Sequence, residues 1–156
     1  MKLNQYGIPP ARIKIEITEG MLLDKIDIAI LTMQQLKALG FKLSLDDFGT
    51  GFSSLNYLKQ FPFDILKIDR SFIMGMHESS IDQSIVHSII NLANNLNLSV
   101  IAEGVELSEH LAFLQQLNYQ EYQEYQEYQE YQGYYFSKAI SFKELEQLVM
   151  TQIKTL

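Results

Sequence analysis

The chain has 156 residues, of which 47% are hydrophobic, so its length and composition suit one folded domain with a hydrophobic core. Its formal net charge of -7 argues against nonspecific binding to nucleic acids or anionic membranes, because both require clustered lysine and arginine. The absence of cysteine excludes disulfides and thiolate zinc sites. No apolar run reaches the length of a membrane span and the start, MKLNQYGIPP, lacks the apolar core of a signal peptide, so we expect a cytoplasmic protein.

Strand patterns alternate with helix patterns along most of the chain. Short apolar runs predict strands at residues 13–17, 41–45, 65–68 and 98–102. The segments between and after these strands predict helices at residues 26–39, 53–59, 81–95 and 108–117. Strands that alternate with helices form a parallel sheet with right-handed crossovers, so strand ends of one kind lie on one edge.

Two adjacent carboxylates follow the second predicted strand. Asp46 and Asp47 come directly after the apolar residues Leu43 and Leu45, and a glycine-containing loop follows them. Two like charges about 4 Å apart repel by roughly 4 kcal/mol at an effective dielectric near 20, so holding both at one point favours a cation between them. Taken alone, the pair fits a solvated turn at least as well as a metal site.

Charged residues also follow the other predicted strands. They are Glu16 and Glu19, Lys67 and Asp69, and Glu103 and Glu106. Open sheets and α/β barrels bind ligands at the carboxyl edge of their strands, so these positions predict an acidic cluster around one lysine. Ligands that are all oxygens favour Mg²⁺ or Mn²⁺.

Five segments then carry a family resemblance. They are EITE (16–19), LDDFGTGFSSLNYL (45–58), LKIDRSFI (66–73), VIAEGVE (100–106) and QGYYFSKA (132–139). In order and nearly in spacing, the chain resembles the EAL domain of bacterial cyclic di-GMP phosphodiesterases. The resemblance implies an α/β fold, an incomplete (β/α)₈ TIM-type barrel with about the last five βα units, and treats residues 1–156 as a partial EAL domain. It also implies hydrolysis of one phosphodiester bond of cyclic di-GMP with two divalent cations.

The same resemblance implies roles for individual residues. Glu16 and Asp46 would be metal ligands, and Asp47 would bridge both ions. Lys67 and Glu103 would position and activate the attacking water. Three further residues would support the site, namely Glu19, Glu106 and Gln132. The glycine loop would couple metal binding to contacts in a homodimer, and it includes Phe48, Gly49, Thr50 and Gly51.

The sequence departs from the family in what it lacks. The signature Glu-Ala-Leu, whose glutamate binds metal in the family, occurs nowhere in the chain, and the expected asparagine ligand is also missing. We therefore expect no activity from this chain alone. Three interpretations stay open: the C-terminal part of a phosphodiesterase domain, a degenerate module that binds a protein partner, or an inert fragment of an interrupted gene.

A Tyr-Gln-Glu triplet repeat occupies residues 119–132. A period of three gives neither a helix nor a strand a continuous apolar face. The repeat is interpreted as an acidic surface bulge before the last strand or as a tyrosine-rich binding arm. Gln132 is the best match to the family glutamine because Gly133 follows it, although the neighbouring copies leave the strand register uncertain.

The three histidines receive no catalytic role. His77 and His110 are expected at the surface near helix edges, and His87 lies on the predicted helix at residues 81–95.

Overall fold

Five parallel strands in chain order, β1-β2-β3-β4-β5, form one sheet at the centre of the molecule. The computed structural model describes residues 2–22, 26–49, 58–121 and 130–153. The strands are β1 (Lys14–Thr18), β2 (Lys42–Phe48), β3 (Ile65–Ile68), β4 (Ser99–Glu103) and β5 (Glu130–Gln132).

Helices precede, connect and follow the strands. They are α1 (Lys2–Gln5), α2 (Glu19–Leu22), α3 (Ile26–Ala38), α4 (Arg70–Gly75), α5 (Ser80–Asn95), α6 (Ser108–Glu121) and α7 (Phe142–Ile153). A 3₁₀ turn at Pro10–Arg12 leads into β1. In the described part of the chain, none of the helices combines the length and the apolarity that crossing a membrane requires.

The four predicted strands are all present. Their boundaries agree with the predictions to within one residue, except that β2 continues to Phe48. The predicted helices at 26–39, 81–95 and 108–117 correspond to α3, α5 and α6, whereas the one at 53–59 lies mostly outside the described residues. The sequence pattern does not predict α4, because its six residues are too few to show a helical period.

The strand order identifies the kind of α/β fold. Every strand pairs in parallel with the next strand along the chain, so the order does not reverse anywhere in the sheet. A doubly wound sheet has such a reversal, whereas consecutive parallel neighbours are the arrangement of a (β/α)₈ barrel. The predicted fold class is confirmed.

Successive side chains of β3 alternate between the hydrophobic core and the opposite face of the sheet. Leu66 and Ile68 are fully buried in the hydrophobic core, together with Val86 and Ala93 of α5. Because successive side chains of a strand point to opposite faces, Lys67 lies on the other face. The apolar contacts with α5 therefore hold β3 in place. Lys67 points to the face of the sheet opposite to α5.

Asp64 ties β2 and β4 to the start of β3. Its backbone N–H donates to Leu43 O, and its carbonyl accepts from the backbone N–H of Ser99, each at 2.9 Å. Its carboxylate accepts from the backbone N–H of Leu43 at 2.9 Å and forms ion pairs with Lys37 and Lys42. Burial raises the pKa of Asp64, but the hydrogen bonds and charges of these partners outweigh burial and leave its pKa below the usual value.

We expect Asp64→Asn to lower the free energy of unfolding at pH 7 by about 1–2 kcal/mol, since a hydrogen-bonded ion pair is replaced by neutral contacts. The folded-state pKa lies below the unfolded value of about 3.9, so this stabilisation is complete above that pH and is lost as the pH falls through the folded-state pKa. Urea unfolding from pH 7 to pH 2 measures the difference. Glu146→Gln, on the exposed side of α7, is the control. A wild-type advantage that stays constant into strong acid would contradict this account.

Candidate metal centre

Lys67 lies at the centre of a group of carboxylates contributed by three other strands. Its Nζ is 2.9 Å from Glu16 Oε1 of β1, 2.9 Å from Asp46 Oδ1 of β2 and 2.6 Å from Glu103 Oε1 of β4. The lysine side chain is only 4% exposed. The structure thus brings together Glu16, Asp46, Lys67 and Glu103, as the sequence predicts.

The protonation state of Lys67 follows from these neighbours. Burial lowers the pKa of Lys67, but the close carboxylates of Glu103, Glu16 and Asp46 outweigh burial and raise the pKa well above the ordinary lysine value. Lys67 is therefore a fixed ammonium at neutral pH. It can donate hydrogen bonds and supply positive charge, but it cannot act as a base.

A local irregularity of β2 sets the direction of the two adjacent aspartates. In a regular strand Asp46 and Asp47 would point to opposite faces. The pairing of β2 with β3 shifts register between Leu45 and Phe48, and Asp47 has a φ of 55°. This left-handed conformation is uncommon for residues other than glycine, although Asp tolerates it better than most. It turns both carboxylates toward one point.

Three carboxylates meet closely enough to share a metal ion. Asp46, Asp47 and Glu103 each offer an oxygen, and these oxygens lie within 4.8 Å of one another. Asp46 Oδ1 is buried and accepts no hydrogen bond of good geometry from the described residues, although Lys67 Nζ lies 2.9 Å away. A buried carboxylate oxygen without a well-aligned donor fits a hard divalent cation, so this donor set suits such an ion.

The predicted metal ligands differ in whether they contact Lys67 or belong to the metal-compatible group of carboxylates. Asp46 and Asp47 belong to the metal-compatible group, and Asp46 also contacts Lys67. Glu16 contacts Lys67 and is half exposed. Glu103 belongs to the metal-compatible group and also contacts Lys67. The individual catalytic and ligand roles of these residues stay predictions.

The loop after β4 is held by contacts from three directions. The Glu106 carboxylate pairs with Arg70, and the Glu106 backbone N–H donates to His110 Nδ1 at 3.4 Å. The Val105 backbone N–H donates to Gln132 O at 3.1 Å, and Val105 O accepts from the backbone N–H of Tyr135 at 3.0 Å. The position of the loop that carries Glu106 is therefore fixed by α4, α6 and the segment around β5.

Gly133 selects one register of the triplet repeat. Gln132 is the last residue of β5 and pairs with Glu103 of β4. A Cβ added at Gly133 would lie 2.1 Å from Val105 O, which is too close for any side chain. A slip by one triplet would bring Glu130 or Phe136 to the position of Gly133, depending on its direction, and either side chain would clash there. Steric exclusion therefore favours the register that pairs Gln132 with Glu103. In β5, the triplet repeat therefore pairs with β4 in the register that places Gln132 opposite Glu103.

The remaining predicted residues are only partly described. Glu19 begins α2, directly after β1. Phe48 is buried at the end of β2, and Gly49 follows it. Thr50 and Gly51 lie outside the described residues.

Two features differ from the sequence analysis. His110 was expected at the surface, which is wrong: it is fully buried in α6, with its ring centroid 5.4 Å from that of His77. Burial and the neighbouring His77 lower the pKa of His110. Arg70 was not singled out, although its position directly after β3 and Asp69 placed it on the carboxyl edge.

Comparison with known proteins identifies the family. Residues 1–139 match the family described as EAL domain. The chain belongs to the EAL domain family. The predicted family is therefore confirmed, and the EAL match spans all five strands of the sheet.

Several EAL proteins resemble the chain closely. It is 43% identical over 147 residues to cyclic di-GMP phosphodiesterase NbdA of Pseudomonas aeruginosa, covering 94% of this chain and 18% of NbdA. It matches the EAL domain of Mycobacterium smegmatis DcpA with a TM-score of 0.84 and 33% identity, covering 96% of this chain and 63% of that one. The chain therefore spans less than two thirds of the length of these relatives.

Solved structures that contain divalent metals are among the matches. Klebsiella pneumoniae BlrP1 has been solved as manganese and calcium complexes with cyclic di-GMP. Each matches this EAL chain with a TM-score of 0.75 and 32% identity, covering 87% of this chain and 32% of BlrP1.

We expect Asp47→Asn to weaken Mn²⁺ binding at least about tenfold, because it removes a charged ligand from the carboxylate group. Its fold should stay intact, since Asn tolerates the left-handed backbone as well as Asp does. Calorimetry measures the affinity, and thermal unfolding checks the fold. Asp82→Asn, in the first turn of α5, is the control for the loss of one charge. Unchanged Mn²⁺ affinity in the Asp47 variant would exclude Asp47 as a ligand.

Proposed function

We propose that this EAL chain forms the C-terminal part of a metal-dependent cyclic di-GMP phosphodiesterase domain. The observation that carries the proposal is that Glu16, Asp46 and Glu103 contact one buried ammonium. Asp46, Asp47 and Glu103 also meet at one metal-compatible point. The similarity to NbdA, a cyclic di-GMP phosphodiesterase, favours the substrate.

Asp46 and Asp47 would hold a divalent cation, with the Glu103 carboxylate close beside it, and Mg²⁺ and Mn²⁺ are the candidate ions. Glu16 would join them as a ligand once it exchanges its contact with Lys67 for the ion. When bound, such a cation supplies positive charge that neutralises a phosphodiester and stabilises the attacking and leaving oxygens of an in-line displacement. The acidic edge of this chain would otherwise repel a dianionic ligand.

The other polar residues of the edge would divide the remaining work. The Lys67 ammonium would donate a hydrogen bond that orients the attacking water, because its raised pKa keeps it protonated. The Glu103 carboxylate would accept the proton of that water, and its 2.6 Å contact with Lys67 holds it in place. Glu106 and Gln132 would support Glu103 through the loop after β4 and through the pairing of β4 with β5.

We further propose that the complete domain is cytoplasmic and forms a homodimer through the glycine loop and its adjacent helix, as the family resemblance implies. A degenerate EAL module that binds a protein partner is the alternative. Nucleotide binding distinguishes these functions, because the phosphodiesterase proposal requires the acidic edge to bind cyclic di-GMP in the presence of a divalent cation.

We expect the 156-residue chain alone to show no hydrolysis of cyclic di-GMP with Mg²⁺ or Mn²⁺, because these residues include neither the Glu-Ala-Leu glutamate nor the asparagine that the family resemblance assigns as ligands. Chromatography of the nucleotide after incubation measures product, and purified NbdA serves as the positive control. Metal-dependent turnover that disappears in the Glu103→Gln variant would contradict this expectation. Cyclic di-GMP binding without turnover would support the phosphodiesterase proposal, and an absence of nucleotide binding would favour the interaction module.

A further inference from the structure

Arg70 is an exposed cation on the same edge as the carboxylate group. It begins α4, one residue after Asp69 and two after the end of β3. Its side chain is 64% exposed, whereas the Lys67 side chain is 4% exposed and contacts three carboxylates. Lys67 is therefore committed to the metal-compatible group, and Arg70 remains accessible to a ligand.

The stem of Arg70 is held in place by its packing against Gly104. Gly104 has a φ of +73°, and a Cβ added there would lie 2.8 Å from Arg70 Cβ. The loop after β4 therefore approaches Arg70 more closely than any residue with a side chain would allow. This contact restrains the first part of the arginine side chain without covering its guanidinium.

Among the described residues, Glu106 orients the guanidinium of Arg70 through one contact. Arg70 Nη2 lies 3.4 Å from Glu106 Oε1, which is a long hydrogen bond at one nitrogen. A guanidinium carries five N–H donors in a rigid fork, so donors remain for a second anion. An arginine that is oriented but mostly exposed and only partly satisfied is suited to bind a phosphate bidentately.

The excess of negative charge at the carboxyl edge of the sheet indicates which phosphate Arg70 would bind. Cyclic di-GMP carries two phosphodiesters, and the proposed reaction places one of them at the metal-compatible group. The second would lie on an acidic edge and needs a positive partner of its own. We infer that Arg70 binds this second, uncleaved phosphodiester, an inference that rests on the proposed function. Arg70 would thus help to select a cyclic dinucleotide over a ligand with one phosphate.

Calorimetric titration of the chain with cyclic di-GMP in Ca²⁺ tests the inference, because BlrP1 forms a calcium complex with this nucleotide. Arg70→Ala should weaken nucleotide binding about 10- to 100-fold, the loss expected for a charge-assisted bidentate contact. Arg70→Lys should lose less, because lysine keeps the charge without the fork. The matched control is Arg12→Ala, which removes the same charge before β1, at the opposite edge, and should stay within about twofold of wild type.

Mn²⁺ affinity separates a ligand contact from a structural role. Arg70→Ala should bind Mn²⁺ no more weakly than wild type, because the inferred contact is to the nucleotide. An equal loss of Mn²⁺ and nucleotide affinity would overturn the inference, and so would nucleotide affinity equal to that of wild type. If wild type itself does not bind cyclic di-GMP, the proposed function fails and the inference fails with it, which distinguishes that result from a failure of Arg70 alone.

Discussion

The ammonium of Lys67 is the interaction on which the arrangement of the site depends. It joins carboxylates from β1, β2 and β4 to β3, so four parallel strands converge at one charge on their carboxyl edge. Removing a charged lysine from water is costly, and the contacts with Glu16, Asp46 and Glu103 offset that cost. The apolar neighbours Leu66 and Ile68 anchor the same strand from its other face, so the charged group is built directly on the hydrophobic core.

The same group is arranged for a further cation. Glu16, Asp46, Asp47 and Glu103 carry four formal negative charges around the single positive charge of Lys67, which leaves a negative excess. Like charges held together raise the free energy of the folded chain, and a divalent ion would relieve this repulsion. The left-handed backbone of Asp47 stores a smaller local cost at the same point. The carboxylates that the proposed function requires therefore lower the stability of the folded chain when no cation is bound.

The sequence predicts the parts of this structure that depend on periodicity and chain order. The alternation of strands and helices gives the parallel sheet, and the position of charged residues after strands gives Glu16, Asp46, Lys67 and Glu103 at one edge. The sequence does not reveal that Asp46 and Asp47 point the same way, because that depends on a register shift and on one positive φ. Burial of His110 was also missed, since the sequence pattern does not show that the backbone N–H of Glu106 donates to its ring.

The stability of the chain after Lys67→Met tests the central role of this ammonium most directly. The substitution leaves three carboxylates without their shared cation, so urea unfolding at pH 7 in the absence of metal should show a loss of about 3–5 kcal/mol. Lys14→Met is the matched control, because Lys14 forms an exposed ion pair with Glu130 on the same sheet, and it should lose about 1 kcal/mol or less. Similar small losses for both variants would contradict the account.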